Sequence, residues 1–425
     1  MQNRTDRNAC IFQQLQKRFS CFRALSSAAI ILCIGNFAAA ESPKGLFLTW
    51  QQDPLTTMTI DWHTIGEGYV SELQYREQGT EDWKQTSGAA HPFPFSDRDI
   101  HRVELTGLNP GTTYEFQLDQ MPRVYHFRTM PENLIEPLTF VTGGDTRTDK
   151  AWMDEANEQA MRFDPDFIVW GGDLAYADAD PRLIDNWYEW YYSIMETLIT
   201  ENGRVIPIIV AIGNHEVTWL PRLERTGGLH LAEEHGWENH DAVFFYDLFA
   251  FPEEPGYGVL DFGDYLSIII LNTDHGEPVI GPQTDWLKDR LAERQDIPHV
   301  FPVYHVPAYP SVRDFDTWTS PEVRDYWTPL FDRYGVKIAF EHHDHAYKRT
   351  PPIRGGEIDG RGVVYIGDGA WGVGPREVHD AAETWYLARS QSIRHLIGVT
   401  LQGRHQHLRM VAHTGETIDQ YPEAP

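Results

Sequence analysis

Five apolar runs in this 425-residue sequence end in residues that could hold metal ions. Phe140-Val141-Thr142 runs into Gly143-Gly144-Asp145, and Phe167-Ile168-Val169-Trp170 into Gly171-Gly172-Asp173, with Tyr176 shortly after. The run ending at Ile212 leads to Gly213-Asn214-His215-Glu216. Val303-Tyr304 leads to His305, and Ile338-Ala339-Phe340 to Glu341-His342-His343-Asp344-His345. Carboxylate, phenolate, amide oxygen and imidazole are the donors that hard and borderline cations take. A carboxylate shared between two motifs could bridge two metals held roughly 3.5–4 Å apart, as in two-metal hydrolases. Such a pair lowers the pKa of a bound water, and the resulting hydroxide attacks phosphorus in line while the metals stabilise the phosphoryl oxygens. Glycine ahead of a ligand lets the chain turn sharply and leaves room beside the metals. Each motif alone has a plainer account: a Gly-Asp step can cap a helix, Asn214 can sit in a turn, and the histidines fit a core or a loop. Together, however, all five follow an apolar run, which points to one joint site.

The segments that carry these residues define the fold class. From Leu138 onward, strand-length apolar runs alternate with helical periodicity. The runs are Leu138 to Val141, Phe167 to Trp170, Ile206 to Ile212, Leu266 to Leu271, Val300 to Tyr304, Val336 to Phe340 and Val363 to Ile366. Leu183, Trp187, Trp190, Tyr191, Ile194 and Leu198 share one helical face; so do Trp286, Leu287 and Leu291, and so do Val323, Trp327, Leu330 and Phe331. This is the grammar of an α/β domain with packed sheets flanked by helices. In open α/β sheets, sites form beyond the carboxyl ends of the strands, so the five run ends are expected in one crevice. Glu216 to Tyr257 shows no strong period and reads as a long loop insert over that crevice. Upstream, short alternating segments separated by turn residues predict a β-sandwich. They include Leu46 to Trp50, Met58 to Trp62, Tyr69 to Tyr75, Val103 to Leu105, Tyr114 to Leu118 and Val124 to Phe127. The expected organisation is a leader over residues 1–40, a sandwich over 41–131, a proline-bounded linker, and the α/β domain over 136–425. No internal repeat or low-complexity tract is visible.

The leader reads as a secretory signal peptide. Arg4, Arg7, Lys17, Arg18 and Arg23 precede an apolar run from Ala28 to Phe37, and Ala38-Ala39-Ala40 supplies a small-residue cleavage pattern. That run is about half of the ~20 residues that span a bilayer, so an uncleaved anchor ranks second. A secreted or periplasmic location follows, with cleavage near Ala40. All three cysteines, Cys10, Cys21 and Cys33, lie in this leader. The remainder can form neither disulfides, zinc ribbons nor iron–sulfur clusters. The formal net charge is −28, and losing the leader makes it more negative still. Such a field repels nucleic acid and anionic membranes. It also repels phosphate esters at long range, so phosphate chemistry would need strong local positive charge.

The ordered motifs resemble those of the purple acid phosphatases within the calcineurin-like metallophosphoesterases: GDxG, GDxxY, GNH[DE], VxxH and GHxH. The most specific match is Gly172-Asp173-Leu174-Ala175-Tyr176. Leu105 to Tyr114 resembles a fibronectin type III domain, with Tyr114 as its corner tyrosine. The resemblance implies that Asp145, Tyr176 and His345 hold a first metal, Fe(III). It implies that Asn214, His305 and His343 hold a second, divalent ion (Zn, Fe or Mn), and that Asp173 bridges the pair. His215 would lie beside the phosphate, stabilising the transition state or protonating the leaving group, and Asn214 would also touch phosphate. The implied function is a secreted acid phosphatase-like hydrolase of small phosphomonoesters; phosphodiesters, pyrophosphate or phytate would use the same metals. A non-catalytic extracellular binding protein is the distant alternative. Pro302 stands harmlessly where the fourth motif usually has valine, and three further departures bear on the site. Arg147 replaces a glycine, either as a phosphate contact or as a cation beside Asp145. His342 replaces the glycine of the last motif, which leaves the backbone room there open. Ala308 to Trp318 contains no histidine of the kind plant members carry after the fourth motif.

Overall fold

Alternating apolar residues assemble the chain into stacked sheets, in a computed structural model that describes residues 42–422; the proposed leader lies outside them. Near the N-terminus, strands Gly45–Thr49, Met58–Ile65, Arg98–Leu105 and Ala89–Pro92 form one antiparallel sheet. Lys84–Ser87, Glu72–Glu77, Thr113–Leu118 and Val124–Arg128 form a second. In the turn before Thr113–Leu118, the Asn109 N–H donates to the Tyr114 hydroxyl at 2.9 Å, the corner bond expected of that tyrosine.

Beyond residue 137, two larger sheets face each other. The six-stranded sheet runs Ile208–Val210, Phe167–Trp170, Leu138–Gly143, His395–Gln402, His405–Ala412, Thr417–Tyr421. Its first three strands are parallel. The seven-stranded sheet runs Gly258–Phe262, Leu266–Ile270, His299–Val303, Ile338–Glu341, Val364–Gly367, Tyr347–Arg349, Arg389–Gln391, and its four central members from Leu266–Ile270 to Val364–Gly367 are parallel. Strand period sorts the side chains. Phe140, Phe167, Val169, Ile268, Phe301, Phe340 and Ile366 share the core between the sheets, where the Phe140 ring lies 5.1 Å from Phe167 and 5.7 Å from Phe301. The alternate residues Val141, Ile168 and Trp170 pack beneath helices Lys150–Met161 and Ile184–Thr197. Ile269, Ala339 and Tyr365 pack beneath Pro282–Glu293 and Thr328–Tyr334. The result is helix, sheet, sheet, helix, as the α/β pattern predicts. Trp187, Trp190 and Tyr191 are core residues. The sandwich shares this core, with Trp50 edge-on to Phe167 and Phe262, and the described residues of both parts lie in one compact unit.

Three elements differ from the sequence reading. The segment Glu216 to Tyr257 is not a plain loop: it holds short helices at Leu220–Thr226, Leu229–His235 and Phe245–Leu248. Helix Lys150–Met161 shows no apolar stripe because its inward face includes Asn157 and Gln159 beside Met153, Ala156 and Ala160; the Trp371 indole N–H donates to Asn157 at 2.9 Å. The last three strands complete the six-stranded sheet: His395–Gln402 pairs antiparallel with Leu138–Gly143, and His405–Ala412 and Thr417–Tyr421 follow outward. Gly398 breaks their apolar pattern because the Phe163 ring occupies the space a Cβ would need. Among the described residues, no helix is long and apolar enough to cross a membrane.

Candidate metal centre

The five run ends meet. Asp145 follows Leu138–Gly143, Asp173 follows Phe167–Trp170, Asn214 follows Ile208–Val210, His305 follows His299–Val303, and His343 follows Ile338–Glu341. The parallel strands of both sheets therefore direct their carboxyl ends to one place, for the topological reason that governs open α/β sheets. Two sets of donor atoms result. In one, Asp145 Oδ1, the Tyr176 hydroxyl and His345 Nε2 lie within 2.9–3.0 Å of one another. In the other, His305 Nε2 lies 3.1 Å from Asp173 Oδ2, 3.1 Å from His343 Nδ1 and 3.3 Å from Asn214 Oδ1. Asp173 belongs to both groups able to hold an ion, Asp173–His305–His343 and Asp145–Asp173–His345. All seven residues picked out in the sequence are thus brought together, with His215 beside them.

The electrostatics fit cations. Asp145 and Asp173 are buried, and the ion pairs they make among the described residues are with histidines alone. Buried carboxylates without a fixed cation are costly unless they coordinate metal. Burial lowers the His305 pKa, yet the Asp173 and Asp145 charges outweigh it and lift the imidazole to about 9. A field that holds a buried imidazole protonated would equally hold a metal cation. Burial and the same carboxylates push the Tyr176 phenol well above its ordinary range, so it becomes a phenolate only against a strongly charged ion.

The chain at the candidate ligands is strained in a way a functional site tolerates. Asp145, Asp173, Tyr176, His343 and His345 have φ between 53° and 79°, a region that costs non-glycine residues about 1–2 kcal/mol each. Neighbouring groups hold them there. His305 Nδ1–H donates to the Gly171 carbonyl at 2.8 Å, which turns Nε2 toward Asp173. Asp145 Oδ2 accepts the His343 N–H at 2.9 Å. Glu216, the last residue of its motif, accepts backbone N–H groups from Asp173, Leu174 and Gly213 at 2.7–2.8 Å, so one side chain fixes two ligand loops. Asp344 accepts the Val312 and Arg313 N–H groups and pairs with the Arg313 guanidinium.

His342 settles the question of room. Its Nδ1–H donates to the Tyr304 carbonyl at 2.8 Å, and its ring lies where side chains on Gly144 and Gly171 would be; a Cβ on Gly144 would come 2.6 Å from it. Burial holds this imidazole down to about 4, hence neutral. The glycine absent from the last motif is compensated by glycines in the first two. Arg147 is not placed as a phosphate contact: it pairs with Glu189 and donates to the Ala175 carbonyl at 3.2 Å.

Other residues at the centre belong to no motif. Asp178 hydrogen-bonds His215 Nδ1, and Arg222, on the insert helix Leu220–Thr226, reaches Asp178 at 2.6 Å and His215 Nδ1 at 3.0 Å. Burial disfavours the charged His215 ring, but Asp173 and Asp178 outweigh it and raise its pKa. Asp178 stands five residues past Asp173 on the same loop, the nearest thing to a sequence clue. Arg313 and Arg376 donate to the His343 carbonyl at 3.0 and 3.4 Å, and Arg376 also reaches His345 Nε2 at 3.4 Å. The acidic chain therefore carries local cations at this rim. The Trp318 ring lies 5.0 Å from that of His343.

Comparisons with known proteins agree with this geometry. Residues 43–129 match the family model of the purple acid phosphatase N-terminal domain, and residues 99–347 match that of the calcineurin-like phosphoesterases. The chain is 25% identical over 320 residues to purple acid phosphatase 21 of Arabidopsis thaliana, covering 73% of this chain and 68% of that protein. It is 26% identical over 359 residues to purple acid phosphatase 18 of the same plant, covering 80% and 74%. The purple acid phosphatase from yellow lupin (Lupinus luteus) seeds shares its fold, with a TM-score of 0.72 at 18% identity over 88% of this chain and 73% of that one. The chain belongs to the calcineurin-like phosphoesterases, as a purple acid phosphatase-like member, and is a metal-dependent phosphatase.

Proposed function

We propose that the chain is a secreted phosphomonoester hydrolase that works with two metal ions bridged by Asp173. The observation that carries this reading is the membership of Asp173 in both candidate ion-binding groups. Asp145, Tyr176 and His345 would hold one ion, Fe(III) on the chemistry of a phenolate donor; Asn214, His305 and His343 would hold the divalent one. When bound, such a pair supplies positive charge to the phosphoryl oxygens and makes water acidic enough to act as a nucleophile.

The protein's own groups do the rest. The Asn214 amide lies at the edge of the second donor set, its oxygen 3.3 Å from His305 Nε2, and would contact phosphate as well as metal. His215 is tied through Nδ1 to Asp178, while its Nε2 lies 3.8 Å from Asp173 Oδ2. That leaves Nε2 facing the centre, where a proton could be passed to the departing alkoxide. Its backbone N–H donates to Asp173 Oδ1 at 2.8 Å, so the proton donor and the bridging carboxylate are registered to each other. Arg376 supplies charge at the rim for an incoming dianion. The basic leader with its apolar run and alanine triplet supports export.

The test is elemental analysis with a visible spectrum, followed by initial rates on matched phenyl phosphate and diphenyl phosphate. Two metals per chain and a clear monoester preference are expected. Stoichiometric absence of metal, or turnover confined to the diester, would overturn the reading.

A further inference from the structure

We propose that Trp318 is a stacking platform for the organic part of the substrate, which makes the site selective for phosphomonoesters of aryl or heteroaromatic alcohols; this rests on the phosphohydrolase reading above. Two features of Trp318 are unfavourable taken alone. Its side chain, one of the largest apolar surfaces a residue can carry, is 62% exposed. Its backbone has φ 47°, where a bulky residue is a genuine outlier. Strain and exposed apolar surface combined in one residue beside a reaction centre are an argument for function.

The surroundings show that the ring is held rather than loose. Upstream, the Val312 and Arg313 N–H groups donate to Asp344 at 2.7 and 3.2 Å, and His379 Nε2–H donates to the Arg313 carbonyl at 2.9 Å. Immediately around it, the Thr317 N–H donates to the Asp314 carbonyl at 3.0 Å and the Ser320 N–H to the Thr317 carbonyl at 3.1 Å. Downstream, the Ser320 hydroxyl donates to the Pro307 carbonyl at 2.6 Å, and Arg324 binds the Phe315 carbonyl and Asp316 at 2.7 Å. A loop fixed on both sides of the tryptophan presents its ring at little entropic cost to a ligand.

Position supplies the rest. The ring sits 5.0 Å from His343, at an interplanar angle of 45°, so it stands beside the donor set of the divalent ion. The Arg313 guanidinium lies 5.5 Å from its centroid. A phosphoryl group held at the cluster must direct its ester substituent outward, and an aromatic substituent there meets a fixed π-face. An alkyl substituent gains contact area but no stacking.

The experiment is calorimetric titration of the metal-loaded enzyme with phenylphosphonate, methylphosphonate and inorganic phosphate, for the wild type, Trp318→Ala and Trp318→Phe. The kcat/KM for phenyl phosphate is measured alongside, and unfolding temperature and metal content are checked for each variant. The wild type is expected to bind phenylphosphonate about tenfold more tightly than methylphosphonate. Trp318→Ala removes that preference, Trp318→Phe retains most of it, and phosphate affinity stays within about twofold. Equal weakening of all three ligands in Trp318→Ala marks a structural prop for His343 and overturns the proposal. An unchanged phenyl preference in that variant overturns it too. Tight phenylphosphonate binding that depends on Trp318, without monoester turnover, supports the platform while refuting the hydrolase reading. Turnover without any phenyl preference refutes the platform alone.

Discussion

Asp173 has both carboxylate oxygens committed, one to the His215 N–H and the other toward His305. Replacing it with asparagine keeps the shape but removes the charge shared by the two donor sets. Asp173→Asn is expected to lower kcat/KM at least about a thousandfold and to release one or both metals, read by initial rates and elemental analysis; normal rates with two metals would refute the bridging role. Asp178 acts through His215, so Asp178→Asn should cut kcat by about 10–100-fold with little change in KM, the usual size of an effect transmitted through a supporting hydrogen bond. His342 yields a packing prediction. Gly171→Ala drives a methyl group into its ring and should cost about 2–3 kcal/mol in urea unfolding. His342→Gly placed in the same chain should recover part of that loss, and an additive double variant would mean that the two sites do not touch.

Among the elements, the insert is tied to the centre, and the sandwich to the insert, by side chains rather than by sequence proximity. Helix Leu220–Thr226 reaches His215 through Arg222. Helix Phe245–Leu248 is tied to the sandwich by Arg102, which donates to the Asp247 and Leu248 carbonyls at 3.2 and 3.3 Å while pairing with Asp61 at 2.6 Å. Burial raises Asp61 to about 6, and the Arg102 charge offsets this only in part; its Oδ2 has no hydrogen-bond partner among the described residues. The folded state therefore binds this proton more tightly than the unfolded chain, whose value is 3.8. The stability it contributes is complete below about pH 4 and is lost as pH rises through about 6. Asp61→Asn should lack that component, roughly 2–3 kcal/mol across the window, when urea unfolding of the two proteins is compared at pH 4 and pH 7. Parallel slopes would show that Asp61 does not titrate there.

Over the whole molecule, a chain of net charge −28 keeps two carboxylates buried at the meeting point of two sheets. Removing cations from that point leaves them opposed only by imidazoles, so chelation should lower the unfolding temperature by several degrees as bound-state linkage is lost. Scanning calorimetry with and without chelator checks this, and an unchanged temperature would argue against metal at the cluster. If iron occupies the Tyr176 side, Tyr176→Phe should abolish the visible charge-transfer band while the far-ultraviolet dichroism stays intact.

Some of this was local and therefore legible in the sequence. Periods of two and of 3.6 residues depend on which face of an element is buried, so the strands carrying Asp145, Asp173, Asn214, His305 and His343 and the helix through Trp187 and Trp190 could be read directly. The chemistry open to the candidate ligands followed from their types. Where apolar periodicity was masked, as in helix Lys150–Met161 with its buried Asn157, or in His395–Gln402 with Gly398 opposite Phe163, the element stayed hidden. The tertiary structure alone decided that His342 fills the space left by Gly144 and Gly171, that Asp178 holds His215, that Arg147 turns to Glu189, and that Trp318 stands exposed beside His343. Each of these depends on which distant or differently oriented surface a side chain meets once the sheets have stacked, and no local pattern in the chain encodes that.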